Sequence, residues 1–175
     1  MKSIFKEILT KRAMNAVAAG TTDQTVTIDR TGFDAIGFSV LLGAITSTAV
    51  TSCKLGVGSA SNGSDAADVS GVTVTVADDD DNQIVLLELM GIPDDKKYVT
   101  LTIDRGTANC VIDGVLVHLA NPRTLPVTQD TSSTVVALAG AYTEETFLRE
   151  GGACIPLVPE TRSRPRQRNQ GATDT

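Results

Sequence analysis

At 175 residues, 41% of them hydrophobic but only 3% aromatic and none Trp, the chain has the length of one domain with a core of Val, Leu, Ile and Ala. The net charge of -6 is unevenly spread: seven basic residues stand against nineteen acidic ones between Asp23 and Glu160, a balance of -12, and both ends are basic. No run approaches the roughly 18 to 20 apolar residues of a membrane span, and three widely spaced cysteines (Cys53, Cys110, Cys154) with a single His argue against a structural zinc site.

The first residues read as a short helix. Ile4, Phe5, Ile8 and Leu9 make a narrow apolar stripe, Ser3 is placed to cap it and Gly20 to end it, so a helix is predicted over residues 3–19 in an N-terminal arm of residues 1–20. Lys2, Lys6, Glu7, Lys11 and Arg12 leave no apolar block for a secretory signal. Synthesis in the cytoplasm is expected, with the cysteines as buried thiols.

Strand patterns then recur through a body of residues 21–120. Residues 24–29 alternate, with Val26 and Ile28 on one face. Residues 34–42 and 52–57 follow. Residues 72–77 set Val72, Val74 and Val76 against Thr73 and Thr75. Residues 84–89 are a nearly continuous apolar run. Residues 98–103 alternate, with Val99, Leu101 and Ile103 toward the core, and 109–119 place Val111, Val115, Val117 and Leu119 in register. A loop at 91–97, with Pro93 opening a turn, is expected between the strands at 84–89 and 98–103; if they pair, Tyr98, Thr100 and Thr102 line the face away from the core. Residues 58–68 read as an exposed, mobile loop, and Asp78 to Asn82 as an acidic turn at a hairpin end. Seven or so short strands between turn signals predict an all-β fold: an antiparallel β-sandwich or jelly-roll-like body, with the short N-terminal helix before it and a long extended C-terminal arm after it.

That arm is residues 121–175. The stretch 121–126, with two prolines, is not expected to continue a central strand. Residues 131–139 have the composition of a further strand. Residues 143–150 read as two helical turns capped by Thr143, 155–159 as extended, and 161–175 as disordered until a partner orders them.

Few constellations carry chemistry. Asp78, Asp79, Asp80, Asp81 and Asn82 offer five oxygen ligands of the kind calcium takes, but consecutive residues do not match the spacing of a calcium loop. His118 is the only imidazole, and no Gly-x-Ser-x-Gly elbow accompanies it; no catalytic residue is assigned and no enzyme is expected. Gly56-Val-Gly58 lacks the third glycine and the helix of a nucleotide site, so no cofactor and no small-molecule substrate are expected. Arg162, Arg164, Arg166 and Arg168 have no interleaved aromatics for base stacking, so a nucleic-acid partner is not expected. With Lys6, Lys11 and Arg12 they are the candidate partner-binding residues, because an acidic body attracts the basic ends of neighbouring copies.

The order of segments is familiar. Thr25-Val-Thr-Ile-Asp, then Gly32-Phe-Asp-Ala-Ile-Gly-Phe-Ser-Val-Leu-Leu-Gly-Ala-Ile, then Cys53-Lys-Leu-Gly-Val-Gly-Ser-Ala-Ser-Asn-Gly and Asp94-Asp-Lys-Lys-Tyr-Val-Thr-Leu-Thr-Ile follow one another. Over residues 25–119 this resembles small capsid decoration or cement proteins of tailed bacteriophages. It departs from them by lacking a Trp after the Ser/Asn/Gly loop and by its basic C-terminal arm. The resemblance implies a non-enzymatic virion protein that binds the major capsid protein and other copies of itself, and stabilises the shell by bridging neighbouring subunits. The alternative is a carbohydrate- or receptor-binding sandwich of a fibre or adhesin. That reading calls for an aromatic platform, and the aromatics are only Phe5, Phe33, Phe38, Tyr98, Tyr142 and Phe147. A hydrolase built on His118 and a nearby carboxylate is a third reading.

Overall fold

The computed structural model describes residues 4–49 and 51–130, all within the unit Met1–Leu138. A single 3-10 turn, Ile4–Lys6, precedes nine strands: β1 (Leu9–Met14), β2 (Val17–Gly20), β3 (Gln24–Asp29), β4 (Phe33–Ile45), β5 (Thr51–Gly58), β6 (Ala67–Val76), β7 (Ile84–Met90), β8 (Tyr98–Asp104) and β9 (Cys110–Pro122). They form two antiparallel sheets. One has the order β1-β9-β4-β7 with β2 also on β9; the other is β3-β8-β5-β6.

That order is a jelly roll. The body is one long hairpin: β5 pairs with β6 at the tip, β4 with β7, β3 with β8, and β1 and β2 with β9 at the open end. Rolling the hairpin up brings β9 beside β4 and β5 beside β8, which closes both sheets.

Period-2 alternation builds the core. Val99, Leu101 and Ile103 of β8 are fully buried, and face Ile36, Phe38, Val40 and Leu42 of β4 and Val115, Val117 and Leu119 of β9. Each such side chain contributes about 1.5–3 kcal/mol on leaving water. Phe38 is the one aromatic in the buried cluster, so the packing is almost wholly aliphatic. Cys53 and Cys110 are free thiols within it. Burial, and then the neighbouring Cys110, push the Cys53 thiol up to about 12.

Several expectations are corrected. There is no helix over residues 4–19: the segment forms the 3-10 turn, β1 and β2. Its residues also fit period 2, and β9 offers a partner strand, with Leu9 opposite Leu119 and Lys11 opposite Val117. Pairing with a waiting strand outweighs a weak helical preference. The strands flanking residues 91–97 do not pair; β7 bonds β4 in one sheet, while β8 lies between β3 and β5 in the other. The acidic run likewise bridges the two sheets, from β6 to β7, and is no hairpin end. β6 begins at Ala67, and β9 runs on to Pro122, which pairs with Phe33 near the start of β4.

The loop between β5 and β6 is pinned. Asp65 accepts hydrogen bonds from the backbone of Ser59 (2.8 Å) and Ala60 (2.9 Å), which hold its carboxyl below the ordinary carboxylate value. Gly63, at φ +71, lies so close to the outer face of the second sheet that a Cβ there would stand 2.5 Å from Thr27 Oγ1 and 2.7 Å from Thr100 Oγ1. The strand expected over 131–139, the helical turns over 143–150 and the extended 155–159 lie outside the described residues, as does the segment 161–175.

Candidate functional site

His118 sits on the outer face of the β1-β9-β4-β7 sheet. Register puts Thr10, His118, Gly37 and Glu88 in one row across four strands. Both ring nitrogens meet hydroxyls: Nδ1 lies 3.1 Å from Thr10 Oγ1 and Nε2 3.1 Å from Ser39 Oγ. Partial burial lowers its pKa from the ordinary imidazole value. The carboxylate that a nucleophile–His–acid arrangement needs at Nδ1 is replaced there by a threonine hydroxyl. The ring ties β1 to β4 across β9.

The carboxylates of the acidic run hold a neighbouring loop. Asp81 Oδ1 accepts from the backbone N–H of Ile45 (2.5 Å), Asp78 Oδ2 from Thr48 (2.6 Å), and Asp80 from the backbone of Ala77 (3.1 Å) and from Gln83 Nε2 (2.9 Å). These bonds stitch the β6–β7 connection to the end of β4. Among the described residues no group of three or more His, Cys, Asp or Glu is placed to hold a metal ion.

Of the candidate partner-binding residues, Lys6 ends the 3-10 turn, and its carbonyl accepts from Val127 N–H (2.9 Å). Lys11 and Arg12 lie in β1, consecutive and so on opposite faces; Arg12 Nη1 reaches Asn15 Oδ1 at 3.4 Å. They do not form one basic cluster, because the segment is an edge strand and not an arm. Arg162, Arg164, Arg166 and Arg168 lie outside the described residues.

Two buried arginines that brace the backbone escaped the sequence reading. Arg30, 3% exposed, donates to four carbonyls: Lys96 (3.0 Å), Phe33 (2.9 Å), Ile92 (3.0 Å) and Pro93 (2.6 Å). Arg105, 2% exposed, donates to the carbonyls of Cys110 and Ala18. Both sit in a repeated Thr-Ile-Asp-Arg, at residues 27–30 and 102–105. In each copy the Asp accepts from the N–H two residues on, at 2.8 Å. β3 and β8 are antiparallel, so the two copies plug opposite ends of the sandwich. The repeat was the available signal.

Beside Arg30, Arg123 bonds Asp34 (2.9 Å) and Asp94 at the surface. The Arg123 guanidinium holds the Asp94 carboxyl below its ordinary value, though solvent screens such an exposed pair. Arg30, Thr31, Gly32, Asp94, Lys97 and Arg123 line a hollow of about 60 Å³. Small-molecule sites run to roughly 300–1,000 Å³, so it has room for water but not for a sugar or nucleotide.

The body's two ends meet at one corner. Gln129 Nε2 donates to the carbonyls of Phe5 (2.7 Å) and Ile8 (2.6 Å), and its Oε1 accepts from Thr10 N–H (3.1 Å). The chain therefore leaves the described body, at residue 130, beside its own N-terminal turn.

No protein-family model matches the chain, and no curated protein matches it in sequence. Among solved structures it is similar to the C-terminal family 22 carbohydrate-binding module of a Clostridium thermocellum xylanase, with 17% identity and a TM-score of 0.41 over 70% of this chain and 98% of that one. It is also similar to a structure of the Gx strain of infectious bursal disease virus, with 17% identity and a TM-score of 0.36 over 68% of this chain and 35% of that one. A third similarity, with 10% identity and a TM-score of 0.37, is to the N-terminal CBM22-GH10 modules of the same organism's endo-1,4-beta-D-xylanase, over 77% of this chain and 30% of that one.

Proposed function

We propose that the chain is a non-enzymatic structural protein of a virus particle, of the cement or decoration kind, which binds the major capsid protein and bridges neighbouring shell subunits. The observation that carries this reading is the corner where Gln129 clamps residues 5–10. It brings the end of the described body, at residue 130, beside the N-terminal turn, and the sequence beyond it carries Arg162, Arg164, Arg166 and Arg168. A jelly roll followed in sequence by a basic segment suits a protein that bridges subunits. The resemblance of residues 25–119 to phage decoration proteins points the same way.

Quantitative mass spectrometry of purified particles tests it. A simple ratio of this chain to the major shell subunit is expected, and deleting residues 161–175 should reduce that occupancy several-fold. Absence from particles would overturn the reading, and binding to a glycan array would favour the carbohydrate-binding alternative.

A further inference from the structure

Sheet edges are ordinarily blunted against pairing with another chain. β1 carries Lys11 on its core-side row and a register break between Arg12 and Met14. The β6 edge is broken opposite Lys54–Gly56, and Gly71 in that strand sits at φ +82. β3 sets Thr25, Thr27 and Asp29 on its outer face. β7 shares only an outer-face carboxylate, Glu88. It pairs with β4 over seven consecutive residues without a break, and contains no Lys, Arg, Pro or Gly. Ile84, Leu86 and Met90 stand on its outer face at 60%, 70% and 63% exposure.

The core is open on the same side. Val74 of β6 is paired with the fully buried Cys53 and so faces inward, yet it is 37% exposed. Edge and seam together leave a strip of apolar surface that the described body does not cover.

We infer that β7 is a homodimer edge, at which a second copy of this chain adds its own β7 in antiparallel fashion and joins the two sheets into one. A two-fold axis at Leu87 pairs Ile84 with Met90, Val85 with Leu89 and Leu86 with Glu88, and opposes no two carboxylates directly. All partners then differ by an even number of residues, so both outer faces fall on one side and both cores on the other. The seam at Val74 comes under the neighbouring body. A second copy is the occupant because the strand is complementary to itself along its whole length. This pairing needs no capsid shell, and it is independent of the proposed shell binding.

Its salt dependence sets it apart from contacts made by basic ends. Two acidic bodies repel, and salt screens that repulsion, so a β7 dimer tightens as salt rises; a contact between a basic arm and an acidic body loosens. Sedimentation of the full chain at increasing concentration, in low and high salt, is the test. A species of twice the 18.3 kDa chain mass is expected, favoured by salt and returned to monomer by the double substitution Leu86→Glu with Met90→Glu, which sets carboxylates opposite Glu88 and adds to the repulsion. Thr25→Lys on the β3 edge should leave it unchanged. Hydrogen exchange on the unsubstituted chain gives an independent readout, with β7 amides gaining protection as concentration rises. A monomer at every concentration, a dimer that loosens with salt or one that survives the double substitution would overturn the inference. So would protection, at every dilution in a monomer, of the β7 amides that point away from β4, which would give the edge to the chain's own residues.

Discussion

His118 shows how one side chain can couple stability to pH. Its folded pKa lies below the unfolded value, because burial between Thr10 and Ser39 favours the neutral ring. The unfolded chain then binds a proton before the folded one does. The stabilisation is complete above the unfolded pKa of about 6.5 and is lost as pH falls through the depressed folded value. Replacing His118 with Gln, which keeps a donor and an acceptor, should flatten urea-denaturation midpoints between neutral pH and pH 5. An undiminished slope in that variant would place the pH dependence elsewhere. The sequence made His118 conspicuous as the only imidazole, but its partners come from strands 108 and 79 residues away. No local pattern reveals that both are hydroxyls.

Among elements, the apolar patterns identified β3 to β9 and the inward row of β8, because the side-chain period depends only on which face is buried; they missed β1 and β2, and an irregularity in the β4–β9 register puts Ile112, not Val111, in the inward row with Val115, Val117 and Leu119. Partnership was not legible in the same way. Ile84–Met90 and Tyr98–Asp104 lie close in sequence and looked like a pair, yet the seven residues between them carry the chain from one sheet to the other. The device that holds this crossing is Arg30, bonded to the carbonyls of Ile92, Pro93 and Lys96 within it. Arg30→Leu should cost about 3 kcal/mol or more in unfolding free energy, since it strands several carbonyls with no charged donor. Arg30→Lys should recover only part of that, because an ammonium lacks the fork that reaches separate acceptors. An Arg30→Lys variant as stable as the unsubstituted protein in denaturant melts would show that the charge, not the fork, matters. The helix expected over residues 3–19 failed for a related reason: Ile4, Phe5, Ile8 and Leu9 fit a helical stripe, but β9 supplied a strand partner more than a hundred residues distant.

At the scale of the whole molecule, the rolled hairpin sets an order of stability. The tip, Ser59 to Ala66, is closed locally by Asp65, while β1 and β9 join residues that are far apart in the chain. Sub-global opening should therefore begin at the open end. Native-state hydrogen exchange is expected to show β1 and β2 amides opening at lower free energy than those of β5 and β8. The reverse order would mean that the centre of the second sheet, not the open end of the hairpin in the first, opens most readily. The same geometry decides how the body bears force. Because Gln129 gathers both ends at one corner, a pull that separates them would peel the hairpin open pair by pair, the weakest direction for any β structure. A pull that takes both ends together passes through the Gln129 clamp and leaves the strands unloaded. A tether attached at that corner holds the body as a hook holds a ring, with its sheets outside the line of tension.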